Sequence, residues 1–326
     1  MRFTKGKIII IIIFFLIIFF YTIFKSSFTT FIPIEFKFTS KTYYIASPKI
    51  LYNVYDNFFG KIYKKKINSC IKKNNNTKIA DSYKFFAAGH IYGKPNTKEL
   101  GIYKNFLTNI NTKNNIDFGF FTGDIVRESN KKSWDTVDQQ IADLDFPIYF
   151  IPGNHDVGIG DANKKREIFK KRYLKTFQSF FYNNDLFILL DTNYKNWNIS
   201  DYQIEEVKKL LIKANNISKN VFIFSHQVIW FNKNNFHGVS INSDEGLLKN
   251  KKTNYWTTFE PILSKYDLNY YIIAGDTGAW INGRELFCKK QNNFTYLASG
   301  MGNGSYDNYL IFESNGKNVN IYPQIF

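Results

Sequence analysis

Cysteine and histidine are both scarce in this chain. Its 326 residues include 2 cysteines, Cys70 and Cys288, so a framework of several disulfides is excluded and a single bridge stays open. Histidine occurs 4 times, which makes the position of each imidazole informative. No internal repeat is present, and the length suits one large domain with a full core plus an accessory segment.

Acidic residues are nearly absent from the first 80 positions, which hold 14 Lys and Arg against only Glu35 and Asp56. Residues 81–326 hold 29 basic and 25 acidic residues, so the formal net charge of +16 is concentrated near the N-terminus. That excess suits the anionic head groups of a membrane, and it is equally what a chain rich in Lys, Asn, Ile, Phe and Tyr carries by composition. The nearly balanced remainder gives no support to nucleic acid as a partner.

The longest apolar run covers Ile8–Phe24 and follows Arg2, Lys5 and Lys7. As a helix, its 17 residues would extend about 25 Å, which is just enough for the core of a bilayer. A cleaved signal peptide is the alternative, but no Ala-x-Ala site follows the run. We therefore predict an uncleaved signal anchor in a single-pass membrane protein, with its N-terminus in the cytoplasm and its main domain outside.

The predicted organisation has four parts: a cytoplasmic tail (1–7), a transmembrane anchor (8–24), a basic juxtamembrane segment (25–80) and a globular domain (81–326). Apolar residues at helical spacing between Ile50 and Tyr63 predict a helix in the juxtamembrane segment. That helix either lies on the membrane surface or packs as a stalk against the globular domain. An Asn-rich stretch at 74–77 is typical of a flexible break and places the domain boundary near residue 80.

From residue 81 onward, strand-like and helix-like patterns alternate and are followed by additional strands. Strands are predicted over Lys84–Ala88, Asp117–Thr122, Pro147–Ile151, Phe177–Tyr182, Leu186–Asp191, Val221–Phe224 and Tyr270–Ala274, with three or four more between Glu285 and Ile321. Helices are predicted over Thr97–Asn111, Ser133–Leu144 and Lys164–Lys175, with a further one capped by Ser200. The pattern predicts an α/β fold of two packed mixed β-sheets flanked by helices.

Polar residues recur where the predicted strands end. The strand ends carry Gly89-His90, Gly123-Asp124, Gly153-Asn154-His155-Asp156, Ser225-His226 and Gly275-Asp276. Three of the four histidines occupy these positions. Because parallel strands deliver the residues after their carboxyl ends to one edge of the sheet, these side chains are expected to meet. Carboxylate, amide and imidazole groups together predict a metal site.

The order and spacing of these motifs resemble the calcineurin-like metallophosphoesterases over residues 81–313. Two downstream features agree, Leu189–Thr192 before a helix and the late Tyr296–Gly300. The resemblance implies a four-layer sandwich fold and metal-dependent hydrolysis of a phosphomonoester or phosphodiester. It also implies one or two divalent metal ions, with Mn, Fe, Mg and Zn as the candidates.

The resemblance assigns a role to each motif residue. It makes Asp124 the carboxylate that bridges two metals, Asn154 and His226 the ligands of the second metal, and His90 a ligand of the first. His155 would bind no metal and would instead be the catalytic residue that faces the phosphate and protonates or stabilises the leaving oxygen. Asn154 would also contact the substrate.

This sequence departs from the family pattern at both ends. The first Asp of the family is replaced by Ala88, and the family's Gly-His-x-His becomes Gly275-Asp276-Thr277-Gly278. The second metal would keep a full set of ligands if Asp276 serves as a replacement carboxylate, whereas the first metal would keep only His90 and the shared Asp124. Three oxygen ligands and one nitrogen favour manganese, magnesium or iron over structural zinc.

Two further residues lie close to the motifs. Arg127, three positions after Asp124, would either clamp a substrate phosphate or pair with Glu128 or Asp156 at the surface. Asp156 is expected to hydrogen-bond the site rather than bind metal.

The function expected from the sequence is a membrane-anchored phosphoesterase that acts outside the cytoplasm on a phosphate ester, with lipids and glycans as candidate substrates. The alternative is a catalytically degenerate relative that binds a phosphorylated or glycan ligand or an envelope partner protein. The loss of ligands at the first metal position motivates the alternative. The retention of Asn154, His155 and His226 favours the enzyme.

Overall fold

A computed structural model of the chain describes residues 35–38, 41–44, 79–95, 98–113, 115–231, 241–242, 253–278, 286–302 and 307–326. The chain divides into two units, Met1–Val54 and Tyr55–Phe326. The described part of the first unit is an antiparallel hairpin of β1 (Glu35–Phe38) and β2 (Lys41–Tyr44). The predicted anchor at 8–24 and the predicted helix between residues 50 and 63 lie outside the described residues. None of the described helices is long and apolar enough to cross a bilayer.

The second unit is built on eleven strands. They are β3 (Tyr83–Ala88), β4 (Phe118–Thr122), β5 (Ile148–Ile151), β6 (Gln178–Tyr182), β7 (Asp185–Leu189), β8 (Asn220–Ser225), β9 (Asn269–Ala274), β10 (Leu286–Gln291), β11 (Phe294–Ser299), β12 (Asn308–Ser314) and β13 (Val319–Ile325). Five strands form one sheet in the order β13-β12-β3-β4-β5, and six form the other in the order β10-β11-β9-β8-β7-β6. In the first sheet β3, β4 and β5 run parallel, and in the second β7, β8, β9 and β11 do. The remaining pairings are antiparallel, so both sheets are mixed, as predicted.

The helices form the outer layers. They are α1 (Lys104–Asn111), α2 (Lys131–Ala142), α3 (Asn154–Val157), α4 (Lys164–Tyr173), α5 (Asp201–Ile217) and α6 (Glu260–Leu263). Phe106, Trp134 and Phe169 from α1, α2 and α4 pack into one core cluster with residues of the five-stranded sheet. Val207 and Leu211 from α5 belong to a second cluster with residues of the six-stranded sheet. The result is the predicted pair of sheets flanked by helices.

Aromatic side chains fill the space between the two sheets. Phe85 on β3 packs edge-on against Phe187 and Phe222 of the other sheet, with ring centroids 5.3 and 5.0 Å apart. Phe120 on β4 stacks on Phe224 at 4.1 Å. All of these rings are fully buried. Aromatic burial of this kind is the main force that holds the sheets face to face.

A buried carboxylate joins the sheets at the amino-terminal ends of β7 and β8. Asp185 accepts hydrogen bonds from the hydroxyls of Tyr83 (2.6 Å) and Ser314 (2.5 Å), which belong to the five-stranded sheet. It also accepts one from the side-chain amide of Asn220 on its own sheet (2.9 Å). Burial raises the pKa of this carboxyl. Asp185 is therefore a polar link between the layers at the end of the sandwich where β7 and β8 begin.

Local sequence signals account for most element boundaries. The hairpin of β6 and β7 turns at Asn183 and Asn184, whose φ angles of 47° and 62° are those of a tight hairpin turn. Ser200 caps α5 by accepting a hydrogen bond from the backbone N–H of Gln203. The helix predicted over Thr97–Asn111 begins only at Lys104, because Gly101 has a φ of 73° that no right-handed helix can include.

Candidate functional site

The predicted motifs meet at one edge of the sandwich. Strands β3, β4 and β5 are paired in register and end side by side, and β8 and β9 end together on the second sheet. The loops that follow are joined by backbone hydrogen bonds, from His90 N–H to the Gly123 carbonyl and from Gly275 N–H to the His226 carbonyl, both 3.0 Å. Across the two sheets, His226 Nδ1 lies 3.0 Å from the Thr122 carbonyl oxygen, so residues from both sheets contribute to a single site.

Two glycines permit the close approach of these loops. A Cβ at Gly153 would lie 2.2 Å from the Asp124 nitrogen and 2.3 Å from its Oδ1. A Cβ at Gly275 would lie 2.0 Å from the Thr122 carbonyl oxygen. These separations are too short for any side chain, so glycine at both positions lets the loops bring their polar neighbours within reach of each other.

Asp124 lies at the centre of the site. Its Oδ1 is 3.2 Å from His226 Nε2 and accepts a 3.1 Å hydrogen bond from the His155 backbone N–H, and its Oδ2 is 3.9 Å from His90 Nε2. Asp276 Oδ1 approaches the same His226 nitrogen at 3.7 Å. Asp124 and His90 both have left-handed backbone, with φ near 50°, a strained conformation for a residue with a side chain.

Backbone carbonyls fix the tautomers of the three site histidines. Nδ1 of His90 lies 2.8 Å from the Met301 oxygen, that of His155 lies 2.7 Å from the Arg127 oxygen, and that of His226 lies 3.0 Å from the Thr122 oxygen. A carbonyl can only accept, so each Nδ1 carries a proton and donates it. In the neutral imidazole, Nε2 is then the nitrogen with a free lone pair, as a metal ligand or a proton acceptor requires.

The buried acidic and basic groups of the site shift each other's pKa values. Burial would lower the pKa of His226, but the carboxylate of Asp124 outweighs burial and raises that pKa to about 10. Burial would likewise raise the pKa of Asp124, and His226 reverses this and holds the Asp124 pKa well below its usual range. Burial lowers the pKa of His90 to about 4. Without another cation, the carboxylates thus retain a proton on His226.

Asp156 supports the site without facing its centre. One oxygen accepts hydrogen bonds from the backbone N–H groups of Ile125 (2.9 Å) and Val126 (3.0 Å), and the other accepts from Gly153 (2.8 Å). Burial, together with the nearby charge of Asp124, raises its pKa to about 7. Asp156 therefore ties the loop after β4 to the loop after β5, which agrees with the role expected from the sequence.

The residues present fit a divalent cation. His226 Nε2 is buried and makes no hydrogen bond within the described part of the chain, although two carboxylate oxygens lie within 3.7 Å of it. With metal–ligand bonds of about 2.1 Å, neighbouring ligand atoms lie roughly 3.0–3.4 Å apart. Over the described ranges, no group of three or more His, Cys, Asp or Glu side chains is placed so that it could hold a metal ion. The fit to a cation therefore rests on the donor atoms that converge on His226 Nε2, and the ligands must move closer together to bind one.

Ala88 and Gly278 stand where the family pattern has an Asp and a His, and the structure shows the surroundings of both. Ala88 is fully buried in the core beneath the site. At Gly278 the φ angle is 88°, and a Cβ would lie 2.6 Å from the Gly300 carbonyl carbon and 2.7 Å from the Met301 nitrogen. A histidine cannot occupy position 278 on this backbone, so His90 and Asp124 are the remaining candidates for a first metal among the residues that the structure describes.

The substrate residues predicted from the sequence lie beside this centre. Asn154 is half-buried at the first position of α3, directly after Gly153. The Arg127 side chain is 39% exposed and its guanidinium lies 3.7 Å from Glu128, while its backbone carbonyl orients His155. Binding of phosphate by Asn154 and Arg127 stays a prediction.

Sequence reasoning missed two contributors to the site. The ring of Tyr92 is nearly buried, 4.2 Å from that of His90 and 5.3 Å from that of His155. Asn193 connects the loop after β5 to the loop after β8 through its side chain. Neither residue belongs to a motif, and in a chain this rich in Tyr and Asn no sequence signal distinguishes them.

Residues 79–277, more than half of the chain, match the family model described as calcineurin-like phosphoesterase. No curated protein matches the chain. Similar solved structures include a dimetal phosphatase from Danio rerio, with 11% identity, a TM-score of 0.48 and coverage of 75% of this chain and 99% of that one. They also include a phosphopantetheinyl hydrolase from Mycobacterium tuberculosis, with 7% identity, a TM-score of 0.41 and coverage of 69% and 91%. Vps29 from Chaetomium thermophilum has 9% identity, a TM-score of 0.33 and coverage of 75% and 98%.

Proposed function

The chain belongs to the calcineurin-like phosphoesterase family, and from that premise we propose that it is a metal-dependent hydrolase of a phosphomonoester or phosphodiester. The observation that carries the proposal is the buried His226 Nε2, which lies between Asp124 and Asp276 and has no hydrogen bond among the described residues. In the metal-free protein a proton on His226 offsets the charge of the two carboxylates, and a divalent cation would take the place of that proton.

We assign the site residues the following roles. Asp124, Asp276 and His226 would hold the metal, with the side-chain oxygen of Asn154 completing the set. When bound, a divalent cation supplies charge neutralisation at the phosphate oxygens and lowers the pKa of a water molecule. His155, whose Nδ1 proton is held by the Arg127 carbonyl, would take up a second proton on Nε2 and, as the imidazolium, transfer that proton to the leaving oxygen. Arg127 would neutralise charge on the phosphate from the exposed side.

We extend the proposal to location and substrate. The apolar run at Ile8–Phe24 with basic residues before it supports a membrane anchor with the catalytic domain outside the cytoplasm. A phosphate ester on a lipid or a glycan is the substrate class that such a position favours.

The test uses the full-length chain, purified in detergent and stripped of metal with a chelator. The protein is reloaded separately with Mn²⁺, Fe²⁺ and Zn²⁺ and assayed on mono- and bis-p-nitrophenyl phosphate beside the His155→Ala variant. The proposal predicts metal-dependent turnover that the substitution abolishes, and the ratio of the two rates identifies a monoesterase or a diesterase.

A second candidate function follows from Ala88 and Gly278, which stand where the family pattern has two metal-binding side chains. A degenerate relative would keep the fold and use the site to bind a phosphorylated ligand or a partner protein. Equal background rates in the wild type and the His155→Ala variant, with every metal, would favour this candidate over the enzyme.

A further inference from the structure

The candidate ligands come from two separate sheets. Asp124 and Asn154 follow β4 and β5 of the five-stranded sheet, while His226 and Asp276 follow β8 and β9 of the six-stranded sheet. Metal ligands must be placed to within a few tenths of an ångström. The groups that hold the two sheet edges in register at this end therefore decide how well a metal binds.

Asn193 makes such a link with its side chain. The residue follows β7 of the six-stranded sheet and is fully buried. Its Nδ2 donates a 2.7 Å hydrogen bond to the carbonyl of Pro152, which immediately precedes Gly153-Asn154-His155. Its Oδ1 accepts a 2.8 Å hydrogen bond from Nε2 of Gln227, the residue after His226. A single amide thus contacts the loop that carries Asn154 and His155 and the loop that carries His226.

The amide is held in this orientation by a second layer of buried polar groups. Asp191 Oδ1 accepts hydrogen bonds from both the backbone N–H and Nδ2 of Asn193, each 3.1 Å. The charge of Asp191 is balanced by Arg166, whose side chain is 1% exposed and whose Nε donates to the Gly160 carbonyl at 2.9 Å. The backbone of Asn193 also accepts a 2.9 Å hydrogen bond from the N–H of Gly160. A buried pair of charges costs free energy to desolvate unless every partner is in place, so the network holds Asn193 rigidly.

We propose that Asn193 is a positioning residue that sets the separation of the two ligand loops and thereby the affinity of the site for a divalent metal. The inference rests on the metal site of the proposed function. It goes beyond that function by assigning a role to the Asp191-Thr192-Asn193 segment, which contacts no substrate or metal in the scheme above.

The experiment measures the dissociation constant of Mn²⁺ by calorimetry on the chelator-treated full-length chain, in the wild type and two variants. Asn193→Leu keeps the branched shape of the side chain and removes its three hydrogen bonds, to Pro152, Asp191 and Gln227. Gln227→Met removes the bond from Gln227 to Asn193, together with the one that Gln227 accepts from the Thr192 hydroxyl, and serves if Asn193→Leu fails to fold. Asn220→Ala is the matched control, because Asn220 is a fully buried asparagine on the same sheet whose Nδ2 bonds Asp185 at the opposite end.

Thermal unfolding of every variant is recorded, and binding is measured well below each midpoint. Loss of a group that orients metal ligands typically weakens binding by about 10- to 100-fold, and we expect Asn193→Leu to fall in that range, with a smaller loss for Gln227→Met. Asn220→Ala should lower the unfolding midpoint and leave the Mn²⁺ affinity unchanged. At saturating metal, Asn193→Leu should retain a near-wild-type KM with a reduced kcat, because Arg127 on the loop after β4 would still bind the phosphate while the metal ligands and His155 are displaced.

Two results would contradict the inference. If Asn193→Leu and Gln227→Met bind Mn²⁺ as tightly as the wild type, the link does not position the ligands. If Asn220→Ala weakens binding as much as Asn193→Leu, the effect reports stability alone. Failure of the wild-type protein to bind any divalent metal would instead overturn the proposed function, so the two failures are distinguishable.

Discussion

Metal binding at this site should release a proton from His226. The pH dependence of the metal affinity therefore tests quantitatively whether His226 is a ligand. In the metal-free protein, Asp124 raises the pKa of His226 to about 10, so the ring is protonated at neutral pH. Its Nδ1 proton is held by the Thr122 carbonyl, and Nε2 must therefore lose the second proton before it can bind a cation. Binding and deprotonation are coupled.

The size of the effect follows from linkage. Displacing one proton from a group with a pKa of about 10 opposes binding at pH 7 by about 4 kcal/mol. Between about pH 7 and pH 10 the affinity should rise tenfold for each pH unit, because one proton is released per metal bound.

Isothermal titration calorimetry measures the released protons directly. The chelator-treated chain is titrated with Mn²⁺ at about pH 7.5 in buffers of different ionisation enthalpy, and the dependence of the apparent enthalpy on the buffer gives the proton count. About one proton is expected for the wild type. His155→Gln serves as the matched control, since it removes another site histidine and should leave the count unchanged, whereas His226→Gln should abolish the release.

Absence of proton release in the wild type, with an affinity that does not change between about pH 7 and pH 8.5, would refute the reasoning. It would mean that His226 is neutral before binding or does not bind the metal. Equal proton release from His226→Gln and the wild type would likewise remove His226 from the set of ligands.

Further predictions concern single side chains. Asp276→Ala should lower metal occupancy after dialysis by about tenfold or more, measured by elemental analysis, and unchanged occupancy would exclude Asp276 as a ligand. Gly153→Ala should weaken metal binding by about 100-fold. The new Cβ would lie 2.2 Å from the Asp124 nitrogen, so the two loops must separate by more than about 1 Å to relieve the collision. An affinity equal to that of the wild type would contradict this prediction, because it would show that the loops can move apart without a loss of binding. Asp185→Ala should reduce the free energy of unfolding in urea by at least about 3 kcal/mol, because three buried donors lose their acceptor. The Mn²⁺ affinity of that variant should be unchanged, and a loss of affinity without a loss of stability would contradict the structural role of Asp185.

The sequence was sufficient to predict the fold class and most of the strands because the apolar runs are short and closed by clear turn signals. Asn183-Asn184 predicts the hairpin of β6 and β7, and Ser200 predicts the start of α5, since each acts through its own backbone neighbours. The start of α1 could not be predicted, because it depends on the positive φ of Gly101, which polar residues before the helix do not reveal.

Local sequence patterns predict some residues of the site and not others. Asp124, His155 and His226 could be identified because each follows a buried strand, so the topology alone brings them to one edge. The contacts of Asn193 and Tyr92 depend on how two sheets pack across many residues of intervening chain, and no local pattern records that packing. The orientation of the three imidazoles is likewise set by backbone carbonyls that only the folded structure identifies.

The most direct test of the account compares the full-length wild type with Asp124→Asn, which keeps the size of the side chain and removes the charge at the centre of the site. Turnover of bis- and mono-p-nitrophenyl phosphate is measured after reloading with Mn²⁺, together with the amount of bound metal. The account predicts metal-dependent hydrolysis by the wild type and loss of both bound metal and turnover in the variant. Equal metal content and equal rates in the two proteins would contradict it.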